Sequence, residues 1–292
     1  MAAFRVEHLM PERTLMIDGI AAPPFLYGTA WKEDATQRLT ELAIQEGFRG
    51  IDTANQRRHY DEAAVGRAVA AALQSGVVVR EELFLQTKFT FRAGQDHRLP
   101  YDPNATISQQ VEQSFAKSLE HLGVDWIDSY VLHGPSSRDG LGPDDWAAWK
   151  SMETIHDSGR ARILGVSNVT LEQLQSLCDG ARVRPRIVQN RCYAELGWDR
   201  QIREYCQAAQ LVYQGFSLLT ANRPALAHPD LLQIAKHHAL TAAQTIFRFA
   251  LEVGMMPLTG TTDAGHMRDD LAVLNSQLDE GEVRLIEVLL SR

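Results

Sequence analysis

Residues 107–133 read ISQQVEQSFAKSLEHLGVDWIDSYVLH. Ile107, Val111, Phe115 and Leu119 recur at helical spacing and make one apolar stripe. Thr106 followed by Gln109 forms a capping box at the helix start. Gly123 stands where a left-handed residue ends a helix. Ile127–His133 then switches to a short, nearly continuous apolar run, the pattern of a strand buried on both faces. A helix leading into such a strand is the repeating half of a βαβ unit.

The same alternation extends in both directions. The strand candidates are Phe25–Gly28, Gly50–Thr53, Leu83–Lys88, Ile127–His133, Ile163–Val166, Ile187–Asn190, Leu211–Phe216 and Met255–Leu258, eight in all. Helical patterns cover Glu62–Ser75, Leu171–Leu177, Arg200–Ala209, Ala242–Val253 and Glu280–Leu290. Gly47, Gly76 and Gly159 also follow helical patterns, at C′ positions. Strands alternating with helices predict the α/β class. Eight units in about 250 residues predict closure into a (β/α)8 TIM barrel. An open doubly wound sheet is the competing architecture, but no GxGxxG follows the first strand. Thr14–Ala22, around Asp18-Gly19, predicts a β-hairpin plugging the barrel bottom. With no linker or low-complexity segment, residues 1–292 are expected to form a single barrel domain.

Composition narrows the function. The 292 residues are 45% hydrophobic and 23% charged, a globular balance. A net charge of −8 argues against binding nucleic acid or anionic lipid. Cys178, Cys192 and Cys206 are too scattered for a disulfide framework or a structural zinc site. Acidic residues do not cluster with hard-cation spacing, so no metal is expected. Met1–Asp18 lacks an apolar signal core, and no apolar run approaches membrane-span length, so a cytoplasmic protein is expected.

In such a barrel the reactive face lies where strands end. Asp52, Lys88, His133, Ser167, Asn168, Gln189 and Asn190 all fall at strand C-termini. Unpaired buried charges are costly, so an Asp, a Lys and a His converging on one rim point to a site.

These segments resemble the aldo-keto reductase superfamily. Gly47–Ala54 (GFRGIDTA), with Tyr60-Asp61-Glu62 and Val65-Gly66, is similar to its first signature. Leu83–Lys88 resembles its lysine strand and Asp125–Pro135 (DWIDSYVLHGP) its histidine strand. Gly159–Asn168 (GRARILGVSN) resembles its hallmark strand and Gln189-Asn190 its amide pair. The resemblance implies reduction of an aldehyde or ketone by hydride from NADPH or NADH, with a catalytic tetrad of Asp52, Tyr60, Lys88 and His133. The family's usual spacing puts Arg57 in the tyrosine slot; counting back from Glu62 gives His59, with Tyr60 beside it. The segment Asn55–Tyr60 (NQRRHY) resembles a subgroup with a longer loop, which makes Tyr60 the acid and His59 the alternative. A phenol with a pKa of about 10 is a reluctant acid, and a neighbouring Lys88 ammonium is expected to lower it.

The resemblance also implies cofactor contacts. Ser167, Asn168 and Gln189 would hold the carboxamide, with Asn190 as an alternative to Gln189. Phe216 would stack on the nicotinamide, with Tyr213 as competitor, and Ser217 and Leu219 lie beside it. Thr259, Gly260, Thr261, Thr262 and His266 occupy the region that grips the adenosine end. The family's lysine is absent there, Arg268 lies just beyond the arginine slot, and Asp263 would repel a 2′-phosphate. The short stretch after the last helix implies an open mouth, with Trp31 as the substrate contact. Trp126, Trp149 and the loop Gly134–Asp144 are weaker candidates. Two further readings stay open: a nucleotide-binding regulatory subunit with little turnover, and an unrelated barrel lyase using Lys88 as a Schiff base.

Overall fold

The structure is a computed structural model describing residues 14–290. Strands β1 (Leu15–Ile17) and β2 (Ile20–Ala22) pair antiparallel. The turn between them is Asp18-Gly19, both at positive φ, as a two-residue hairpin loop requires. Eight parallel strands follow: β3 (Leu26–Gly28), β4 (Gly50–Asp52), β5 (Phe84–Phe89), β6 (Ile127–Leu132), β7 (Ala161–Ser167), β8 (Ile187–Arg191), β9 (Val212–Phe216) and β10 (Met255–Thr259). They close in sequence order, β10 pairing with both β9 and β3. The chain therefore forms a (β/α)8 barrel, and the open sheet is excluded.

Strand ends move by a residue or two from the sequence reading. Leu83 lies before β5, and His133 lies one residue beyond β6. The capping box at Thr106–Gln109 is present, and Thr170–Gln173, Thr241–Gln244 and Asp279–Glu282 repeat the device. Gly47, Gly76, Gly123 and Gly159 all have positive φ, as C′ residues do. Helices Thr36–Gln45 and Pro143–Asp157 are heralded in the sequence only by the glycines after them. The helices Pro229–His237 and Ala264–Ala272 have no such signal; the first is an addition between β9 and β10.

The barrel interior is layered. At the bottom, Ile17 and Ala22 of the hairpin pack on Leu26, Phe84, Ile163, Ile187 and Met256. The Arg186–Asp18 ion pair, 2.9 Å, ties the hairpin turn to the barrel. Above this lies a polar layer of Gln86 and Gln214, both fully buried. Side-chain alternation along β5 then places Phe84, Gln86 and Lys88 on the interior face at successive heights.

Candidate active site

The top layer centres on an ion pair. Lys88 Nζ donates to Asp52 Oδ1 at 2.6 Å and to the Thr53 carbonyl at 2.8 Å. Both side chains are essentially sealed from solvent. Asp52 Oδ1 also accepts from Gln86 Nε2 at 2.7 Å and from Gln189 Nε2 at 3.0 Å. Gln214 Oε1 receives second bonds from the same amides, 2.8 and 2.9 Å. Two glutamines, Gln86 of β5 and Gln189 of β8, thus hold the carboxylate that holds the lysine, and Gln214 of β9 holds both amides. Burial lowers the lysine's pKa, and the contact with Asp52 opposes that shift. With its ammonium committed to two oxygens beneath the cavity, Lys88 is poorly placed for a Schiff base.

The longer loop does not carry Tyr60 away from this pair. Its ring centre lies 5.3 Å from Lys88 Nζ and 5.9 Å from the His133 ring centre. Burial, and then the Asp52 carboxylate, push the phenol well above its ordinary pKa. This corrects the expectation of a lowered value: burial and the Asp52 carboxylate outweigh the nearby ammonium. His133 Nδ1 lies 2.7 Å from Thr90 Oγ1. Burial, followed by the charges of Lys88 and His59, drops the imidazole pKa to about 3, so this ring is neutral at physiological pH. His59 faces the rim, stacked at 3.9 Å between ring centres on Trp31, which is 70% exposed. Arg57 pairs with Asp61 at 3.1 Å on the loop surface.

A cavity of about 830 Å³ opens above these groups. At the catalytic end its walls include Asp52, His59, Tyr60, His133, Ser167, Asn168 and Gln189. Phe216, Ser217 and Leu219 line its side, and Thr259, Gly260, Thr261 and His266 its far end, with Trp31 at the mouth. Lys88 lies below the surface, and Thr262 is outside the lining. Trp31, Asn168 and Ser217 are non-glycine residues with φ of 61°, 55° and 58°. Such backbone is costly outside glycine and concentrates at functional sites.

Several open alternatives close here. Asn190 points out of the barrel, bonding Val169 through both ends of its amide at 2.9 and 3.1 Å. Gln189 is therefore the member of the pair that faces the cavity. Tyr213 is buried with its hydroxyl 2.8 Å from Asp199 and does not line the cavity, whereas Phe216 does. Trp149 is a core residue, and Trp126 is stacked beneath the Arg80 guanidinium at 3.6 Å. Asp263 caps the helix Ala264–Ala272 by accepting from His266 N at 2.9 Å. The acids that do line the far end are Asp269 and Asp270, and burial raises Asp270 to about 6. Arg268 turns away onto Glu46, 2.8 Å.

Sequence reading passed over Lys32, Arg191, Asp269 and Asp270. Lys32 crosses the groove and donates to the Gly260 carbonyl, and burial lowers its pKa. Arg191 shares the cavity face with Gln189, two residues before it on β8; strand alternation was the signal available.

The model of the Aldo/keto reductase family matches residues 25–291. The chain belongs to the aldo/keto reductase family. Among its aldo/keto reductase relatives, Aldo-keto reductase MT3049 of Mycobacterium tuberculosis is 35% identical over 222 residues, 76% of this chain and 71% of that protein. The uncharacterized oxidoreductase YtbE of Bacillus subtilis is 28% identical over 285 residues, 97% and 94% of the two chains. The Bombyx mori aldo-keto reductase AKR2E4, solved in complex with NADP, superposes with a TM-score of 0.80 at 25% identity, covering 96% of this chain and 92% of that one. Family membership makes this chain an oxidoreductase. Among the described residues no helix is long and apolar enough to cross a membrane.

Proposed function

We propose that this enzyme reduces an aldehyde or ketone to an alcohol using a nicotinamide dinucleotide, with Tyr60 as the proton donor. The observation that carries the reading is the sealed Asp52–Lys88 pair directly beneath Tyr60 and His133 at the cavity floor. Its size suits a dinucleotide, since ligand cavities run roughly 300–1,000 Å³. Its lining also fits: amide and hydroxyl groups at the catalytic end, an aromatic wall, and a far end near the N-terminus of the helix Ala264–Ala272. When bound, the reduced nicotinamide supplies the hydride.

The chain's own groups manage charge and proton. The carbonyl oxygen gains negative charge as hydride arrives, and Tyr60 returns a proton to it, so aldehyde, hydride and proton balance to alcohol. The raised phenol pKa keeps Tyr60 protonated throughout the physiological range. A neutral His133 that accepts from Thr90 at Nδ1 keeps its proton on Nε2 and offers the same oxygen a hydrogen bond. Lys88 places a positive charge under the phenol, so the phenolate left after transfer is stabilised. Asp52 and the three glutamines keep that ammonium in place.

At the adenosine end, Asp269 and Asp270 line the cavity while Arg268 is turned away. This supports NADH binding at least as tightly as NADPH, since carboxylates repel a 2′-phosphate. Fluorescence titration with each dinucleotide tests both points, because Trp31 sits exposed at the mouth. Saturable quenching by NADH, no weaker than by NADPH, is expected. Binding of neither contradicts the reductase reading, and a clear NADPH preference contradicts the assignment at the adenosine end.

A further inference from the structure

Away from the cavity, His237, His238 and Glu282 bring three ligand atoms within 4.8 Å of one another. His237 closes the helix Pro229–His237, His238 follows it, and Glu282 sits in the first turn of the helix Glu280–Val288. His237 Nδ1 is 3.1 Å from Glu282 Oε1. His238 Nε2 is 2.9 and 2.8 Å from the two carboxylate oxygens. The imidazoles are neighbours, 4.6 Å between centres.

A tetrahedral shell with bonds of about 2.0–2.1 Å sets neighbouring N and O ligands about 3.3 Å apart. The three histidine–glutamate separations, 3.1, 2.9 and 2.8 Å, lie a few tenths of an ångström below that. His237 is 71% exposed, so its ring can shift without disturbing the core, and the remaining adjustment is small. Glu282 is held independently, its carboxylate accepting from Asp279 N at 3.0 Å in the capping box. Such outer support orients a ligand before any ion arrives. Charge also suits a cation. The negative C-terminal end of Pro229–His237 faces the positive N-terminal end of Glu280–Val288, so the helix dipoles offset, and the carboxylates of Asp279, Glu280 and Glu282 supply the negative charge. Two imidazoles with one carboxylate suit zinc-type ions, whereas calcium and magnesium call for oxygen ligands.

We propose that His237, His238 and Glu282 bind a divalent transition-metal ion of the zinc class. Solvent completes its coordination, and the ion joins the last helix to the helix Pro229–His237. An ion bound only by the folded chain raises stability by mass action.

The test is calorimetric titration of zinc into the full-length, chelator-stripped protein, with the visible spectrum of the cobalt form reporting the ligand set. One zinc per chain and a higher melting temperature with zinc are expected. His238→Ala and Glu282→Gln should each weaken binding by at least about tenfold. Glutamine also serves at this capping-box position, and comparing the metal-free melting temperatures of Glu282→Gln and wild type separates lost binding from lost His237 and His238 contacts. No zinc binding by the wild-type protein overturns the proposal. So does unchanged binding in both variants, which would place the ion on other residues.

Discussion

Asp52→Asn isolates what the buried ion pair does. The substitution keeps the shape of the side chain and removes its charge. Lys88 is fully buried, and its ammonium touches one carboxylate oxygen at 2.6 Å and one carbonyl at 2.8 Å. Removing one partner of a buried pair costs about 3–5 kcal/mol. The lysine has one escape, which is to lose its proton. At pH 7 that costs at most about 4.6 kcal/mol, from a free lysine pKa of about 10.4 and about 1.36 kcal/mol per unit. In the variant the unfolded chain then binds one proton more than the native one, so stability rises with pH by about 1.4 kcal/mol per unit. The ceiling falls to about 1.9 kcal/mol at pH 9. Urea unfolding followed by circular dichroism should show Asp52→Asn destabilised by about 3–4.6 kcal/mol at pH 7, with the deficit shrinking by pH 9. A loss below about 1 kcal/mol, or one that does not change with pH, would refute the reasoning.

Two other outcomes follow from the same geometry. The phenol of Tyr60 is raised and His133 is lowered to about 3, so neither titrates near neutrality and the carbonyl-reduction rate should be flat from about pH 5 to about pH 9; a rate that falls as pH rises toward neutrality would point to the depressed imidazole of His59 instead. Gly66→Ala places a Cβ 1.9 Å from the His121 carbonyl, a backbone atom in the neighbouring helix. It should cost roughly 2 kcal/mol or more, despite alanine's better helix propensity, and a rise in melting temperature would contradict that packing.

Much of this was legible in the chain. Parallel strands buried on both faces must be apolar, so Ile127–Leu132 and its counterparts stand out, and a charge closing such a run is conspicuous. Asp52, Lys88 and His133 were found that way. Gln86 and Gln214 were not, because each lies inside an apolar run and its partners come from other strands. Alternation along β8 does separate Gln189 and Arg191, facing in, from Asn190, facing out, once the strand is seen to run through Arg191. The loop holding His59 and Tyr60 has no period, so only three-dimensional placement puts one beside Lys88 and the other against Trp31. The contact of His237 and His238 with Glu282 spans more than 40 residues of chain and leaves no local pattern.

The central claim is that Tyr60 gives the proton. Its most direct test compares wild type, Tyr60→Phe and His59→Ala in steady-state oxidation of the reduced dinucleotide with an aromatic aldehyde, each checked for dinucleotide binding by fluorescence. The account predicts that Tyr60→Phe lowers kcat by about 10²–10⁴ with dinucleotide affinity unchanged, while His59→Ala retains turnover. Full turnover in Tyr60→Phe, with the loss falling on His59→Ala instead, would contradict it.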